Sequence, residues 1–314
     1  MAKKFINRLA KIIVIGSFCW LGIISHSSAE SSSVKKLLLQ SYDLSPESKL
    51  GDKDFYHITT VYLDLNDQGK VSHKTVLEGY FTKEIIRLQK DKRTYSFEWK
   101  FVKRGEREGQ GDITGYTVLP YSKDFRYTFE EWTRDHFPVN LSSIPKSMEG
   151  WGFVVKLFDA HTFDVLADMN VYQGRMTHVG DSALLPASAI PVSMDFPPLF
   201  TDTYFVNADL TTAFQGITLW RGEPCAILVF RSDDNGLHMV TNINNMKFPS
   251  DGSSYYWGEI YLSLQHKKII WGKIIERVDM VTSLATLGER ARHVTRREIT
   301  LERIQPADIK QIIQ

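Results

Sequence analysis

Cysteine is nearly absent: two in 314 residues, Cys19 and Cys225. A chain so poor in cysteine has no disulfide framework and must be held by its core. Motifs are missing as well. There is no Gly-x-Ser-x-Gly elbow, no His-Glu-x-x-His, no P-loop, no dinucleotide fingerprint and no paired-cysteine zinc spacing. The glycine-spaced loop Gly105–Gly111 lacks the Lys-Ser/Thr and following helix that a phosphate cradle needs. No cofactor is implied. Apolar runs are short too. Ile12–Ile24, with no charge, has 13 residues, against about 20 for a membrane-spanning helix.

That stretch has another reading. Lys3, Lys4, Arg8 and Lys11 precede it, Ser27-Ser28-Ala29 follows with small residues, and Glu30 opens a polar segment. These are the three parts of a secretory signal peptide, with cleavage expected after Ala29. Phe18 before Cys19 is too large for a lipobox. The remaining chain carries 34 Lys+Arg against 37 Asp+Glu. Such a balance supplies no positive field to recruit nucleic acid. An exported protein with one cysteine fits the bacterial periplasm or the extracellular medium. Cys225, in the apolar run Pro224–Phe230, reads as a buried thiol.

Beyond residue 55 the period is two. Phe55, His57, Thr59, Val61 and Leu63 alternate with Tyr56, Ile58, Thr60, Tyr62 and Asp64. A turn at Asn66-Asp67-Gln68-Gly69 then makes 55–82 a β-hairpin. Glu84–Gln89 and Arg93–Lys103 follow as strands, with Tyr95, Phe97, Trp99 and Phe101 on one face. Ile113–Tyr121, Phe125–Trp132 and Val171–His178 are shorter strands. Four prolines between Leu184 and Phe200 argue for an extended flap outside any sheet. Thr211–Trp220, Cys225–Ser232, Leu237–Phe248, Tyr255–Gln265, Lys268–Leu284 and Val294–Ile304 complete the set, with Asp233-Asp234-Asn235-Gly236 as a hairpin turn and Ser250–Ser254 as a loop. The fold class is mainly β: twelve to fourteen strands in long antiparallel meanders, forming curved sheets or half-barrel or sandwich-like layers. Two short helices are expected, at about 162–169 and 306–313, and no long amphipathic one. The signal peptide (1–29) leads to β-rich regions 30–145 and 146–314, which one continuous domain could also accommodate.

Between the regions, Gly150–Met169 concentrates potentially reactive groups: Asp159, His161, Asp164 and Asp168. Phe153–Phe158 reads as a core strand. Thr162 would then cap a short helix, with Asp164 in its first turn and His161 bonded to backbone at the junction. The rival reading makes His161 a base or metal ligand among carboxylates. Tryptophan supplies the second candidate site. Trp151, Trp257 and Trp271, with Tyr255, could line an apolar pocket or stack on sugars, although such residues more often form the core or rim of a β domain. The acidic pairs and the basic run Arg290–Arg297 read as solvated edges.

The sequence therefore describes an exported binding protein, for a hydrophobic or lipid-like small molecule or for another envelope component, with Trp151, His161, Tyr255, Trp257 and Trp271 as candidate ligand contacts. No nucleic acid and no membrane span in the mature chain are expected. An envelope glycan or ester hydrolase and a structural assembly partner are the alternatives. The N-terminus of protein recovered from its own host should read Glu30-Ser31-Ser32; a sequence starting at Met1 would exclude cleavage.

Overall fold

The computed structural model describes residues 36–45, 49–89, 92–130, 140–172, 176–188, 190–244, 246–284 and 289–308, with side chains except at 92 and 168–172. The expected signal peptide lies outside these residues. The chain forms two compact units, Met1–Ser41 and Tyr42–Gln314. In the first, residues 36–39 form one helical turn.

The second unit is a 13-stranded antiparallel sheet that does not close. Its strands are β1 (Lys53–Leu65), β2 (Val71–Gln89), β3 (Lys92–Glu108), β4 (Thr117–Val118), β5 (Arg126–Glu130), β6 (Ser182–Leu185), β7 (Val192–Ser193), β8 (Phe200–Val206), β9 (Leu210–Trp220), β10 (Glu223–Ile243), β11 (Met246–Ser263), β12 (Ile269–Leu284) and β13 (Glu289–Ile304). The main path runs β4-β3-β2-β1-β13-β12-β11-β10-β8-β7. First and last long strands are thus neighbours, paired from Phe55↔Ile304 to Leu65↔Val294. This ladder joins the residues before 145 to those after it in one sheet.

The period of two works as expected in β1. Tyr56, Ile58 and Thr60 are buried while His57, Thr59 and Val61 are half-buried. In β3 the pairing shifts between Tyr80↔Phe101 and Phe81↔Trp99, so Lys100 is an extra residue. Such a bulge reverses the alternation. Tyr95, Phe97 and Trp99 stay in the core, whereas Phe101 leaves it and packs on Tyr80 at 5.2 Å. The expected separate strand Glu84–Gln89 is the continuation of β2.

Three larger expectations are overturned. The expected strand Phe153–Phe158 and short helix 162–169 are both parts of one helix, α1 (Met148–Tyr172), 25 residues long. It takes in 171–172 as well, leaving no strand at Val171–His178 among the described residues. Phe153, Leu157, Ala160, Phe163, Leu166 and Ala167 are buried, but so are Val154 and His161 on another flank. A helix buried around most of its girth has no polar face to reveal the 3.6-residue period. The Asn235-Gly236 turn is instead a register shift between Ser232 and Asn235 inside continuous β10, and 250–254 lies inside β11. The true hairpin closes at Ile243↔Met246, with Asn244 at φ 50°. The proline-rich stretch contributes β7 to the sheet's edge, where a missing N–H costs no ladder bond. Near the C-terminus, 306–308 are helical; the rest of the expected helix lies outside the described residues.

Close approach explains two glycines. A Cβ on Gly272 would stand 2.6 Å from the Phe163 ring, so β12 lets α1 lie directly on it. A Cβ on Gly258 would stand 1.9 Å from the Lys273 carbonyl oxygen of the neighbouring strand. That oxygen cannot rotate away as a side chain could. Gly258→Ala should therefore destabilise the fold by about 3 kcal/mol or more, measured by urea denaturation; a change under about 1 kcal/mol would contradict this packing.

Candidate functional site

Gly272 marks which side of the sheet carries α1. On β12, Ile274, Glu276, Val278, Met280 and Thr282 follow on the same side at steps of two. Cross-strand register carries that side to Arg297 and Thr295 on β13, and to Ser254, Gly252 and Ser250 on β11.

A polar seam crosses this side. Lys156 of α1 donates to Thr60 Oγ1 of β1 at 2.5 Å, and Thr60 donates to Asp159 Oδ2 of α1 at 2.8 Å. Asp159 Oδ1 lies 3.1 Å from Arg297 of β13, whose other terminal nitrogen is 2.6 Å from Glu276 of β12. Ser254 of β11 donates to Glu276 at 2.5 Å; Asn235 Nδ2 of β10 donates to the Ser254 carbonyl at 2.9 Å, and Ser232 Oγ to Asn235 Oδ1 at 3.0 Å. Lys156, Thr60, Asn235 and Ser254 are fully buried and Asp159 is 1% exposed. Polar groups withdrawn this far from water stay only when hydrogen-bonded, and a buried ion pair needs both partners. Arg297 Nε is buried without an acceptor among the described residues.

The charges follow from these contacts. Burial drives the Lys156 ammonium down to about 7, opposed by Asp159 and reinforced by Arg297. Burial also works against the Arg297 charge, but Asp159 and Glu276 outweigh it and hold the guanidinium protonated. Tyr62 beside it is raised, by burial first and then by Asp159. The basic run ending at Arg297 is therefore not all solvated edge: its last member is a central tie between α1 and the sheet.

The five candidate ligand contacts do not converge. Trp151 and His161 are on α1, ten residues apart. Trp151 packs on Phe200 at 4.8 Å and Phe196 at 5.8 Å, both from the proline-rich stretch. His161 is 1% exposed, stacked on Phe129 at 3.9 Å, with Nε2 3.0 Å from the Tyr127 hydroxyl. The Tyr127 hydroxyl is thus a side-chain partner, and burial keeps the ring neutral. Tyr255, Trp257 and Trp271 lie on the side of the sheet away from α1, by the alternation that places Gly272 and Gly258 against it. Tyr255 donates to Asp234 at 3.0 Å, Trp257 is 44% exposed, and Trp271 packs with Trp220 and Tyr261 at 5.3 and 4.9 Å.

The capping account changes as well. Thr162 sits mid-helix and donates to the Phe158 carbonyl at 3.0 Å, while Asp164 pairs with Lys83 of β2 at 2.6 Å. Asp168 lies outside the described side chains. Cys225 is buried, its thiol pushed up to about 11 by burial and then by Glu223. Among the described residues, no group of three or more His, Cys, Asp and Glu is placed to hold a metal ion, and no helix is long and apolar enough to cross a membrane.

Beyond the seam, away from α1, the same side turns apolar. Met280 on β12 faces Leu237 of β10 across Gly252, Thr282 faces Met239 across Ser250, and Phe248 opposite Thr241 and the pair Ile243 and Met246 carry the surface to the hairpin end. Ile243 and Met246 are 49% and 44% exposed. The sequence offered no signal for this surface, because the bulge at Ser232/Asn235 resets the alternation along β10.

No family model and no curated protein matches the chain. Among solved structures it is matched to the crystal structure of a DUF1329 family protein from Desulfovibrio piger, at 9% identity over 82% of this chain and 87% of that one, with a TM-score of 0.14.

Lys156 gives the seam a pH signature. A base whose folded pKa lies below its unfolded value binds fewer protons when folded, so stability rises with pH between the two values. For Lys156 that window runs from about 7 to about 10. The stability of wild type relative to Lys156→Met should climb across it by at most about 1.4 kcal/mol per pH unit. Parallel urea-denaturation profiles at pH 7, 8 and 9 would refute the assignment.

Proposed function

We propose that this is an exported, non-enzymatic binding protein for a hydrophobic or lipid-like ligand, held on the apolar surface beyond the seam. The supporting observation is the half-open row Leu237, Met239, Phe248, Ile243 and Met246, backed by Met280, on a sheet side otherwise covered by α1. Unbranched thioethers adapt to ligands of irregular shape. From residue 237 to 243 a strand spans about 20 Å, the length of a long acyl chain.

A hydrolase finds less support. Asp159 and Glu276 do converge, but on one guanidinium, in a buried network where neither is a free acid or base. Lys156 and Thr60 make a close amine–hydroxyl pair, and both are sealed from solvent. An acyl or glycosyl substrate would have to displace α1, with several wholly buried side chains at about 1.5–3 kcal/mol each.

Native mass spectrometry of protein purified from its own host should reveal a bound amphiphile, and a fluorescent fatty acid should compete for the same place. Met239→Asp should weaken that probe about tenfold or more without lowering the melting temperature by more than a few degrees. A clean apo mass together with no probe binding would remove the reading.

A further inference from the structure

The apolar row does not stop at the sheet. It continues onto the end of the β10–β11 hairpin, where Ile243 and Met246 face each other as the last cross-strand pair. The β11–β12 ladder ends at Ser250↔Thr282, so Met246–Pro249 reaches past it. On its other side the hairpin is anchored: Asn242 donates through Nδ2 to the Pro198 carbonyl at 2.9 Å and to Thr201 Oγ1 at 3.0 Å, and through its N–H to the Leu199 carbonyl at 2.8 Å. The end of β10 is therefore held in place beside two large apolar side chains that are nearly half exposed.

From Asn242 to Ser250 the hairpin has no acidic residue, and its one charge is Lys247, which is exposed. A partner protein adding a strand to this overhang would meet Pro249, which lacks the N–H such pairing uses. An exposed apolar pair at the end of an anchored hairpin, with Lys247 beside it and no acidic residue from Asn242 to Ser250, suits the boundary between headgroups and acyl chains. We infer that the β10–β11 hairpin end docks on a lipid bilayer surface, and that a lipid-like ligand passes from there along Phe248 and Met239 toward Met280. The inference rests on the ligand reading above and adds its source.

The test is flotation of the mature chain with vesicles of phosphatidylcholine and phosphatidylglycerol, alongside fluorescent fatty-acid binding in detergent-free solution. Wild type should float with the vesicles. The variant Lys247→Glu, outside the ligand row, should lose about tenfold in affinity for these anionic vesicles while keeping its melting temperature and the solution affinity for the fatty acid. Wild type that takes up the fatty acid but ignores vesicles would overturn the docking inference and leave the binding reading standing. Equal flotation of variant and wild type would overturn it as well. Failure to bind either probe would remove both.

Discussion

The guanidinium of Arg297 is the contact on which the arrangement depends. It lies on β13, the last strand of the chain, and holds Asp159 from the helix and Glu276 from β12 at once. Asp159 in turn binds Thr60 of β1, the first strand. One side chain therefore links the first and last long strands, neighbours in the middle of the sheet, to the helix that covers it. Apolar packing supplies most of the stabilisation, through Phe153, Leu157 and Phe163. Packing of that kind tolerates sliding and rotation, whereas a buried ion pair tolerates neither. The seam's role is accordingly to fix where α1 sits, and its net contribution to stability is small after desolvation.

Position matters because the sheet is longer than the helix can cover. Where α1 lies on it, bulky side chains fill the space between them: Trp99 meets Phe153 edge-on at 5.7 Å, and Gly272 lets Phe163 down onto β12. That half is core. Past Glu276 and Arg297, Leu237, Met239 and Phe248 of β10 and β11 are of intermediate burial, while Phe200, paired with Thr241 of β10, is packed under Trp151 of α1. The seam separates the packed core from this partly buried row.

What could be read from the sequence follows the same border. The hairpin 55–82 was legible because its burial alternates strictly, one side on the core and the other half-solvated. Strand number and antiparallel class followed from such runs. Gly150–Met169 misled for the opposite reason. Buried around most of its girth and starting Gly-Trp-Gly-Phe-Val-Val, α1 has neither the polar stripe of a surface helix nor the composition of a strong helix former. Lys156 within that run was the available clue: a lysine among Phe, Val and Leu on a buried element must find a partner. Asn235-Gly236 misled because the residues that favour a tight turn also suit a bulge, and only the cross-strand register separates the two. Arg297 could not be told from Arg292 or Arg296 by charge alone. Its depth depends on α1 lying above it.

The concentration of reactive groups around His161 also means something different in three dimensions. Asp159 leaves α1 toward Arg297, whereas His161 and Asp164 reach Tyr127 and Lys83, which flank Phe97 in one cross-strand row. They are polar ties spaced along one helix. A helix anchored at three points by polar contacts, and packed by aromatic rings between them, forms a rigid wall. Rigidity of that kind gives the neighbouring part of the sheet a fixed boundary, and a ligand held there as proposed would meet it at no further entropic cost.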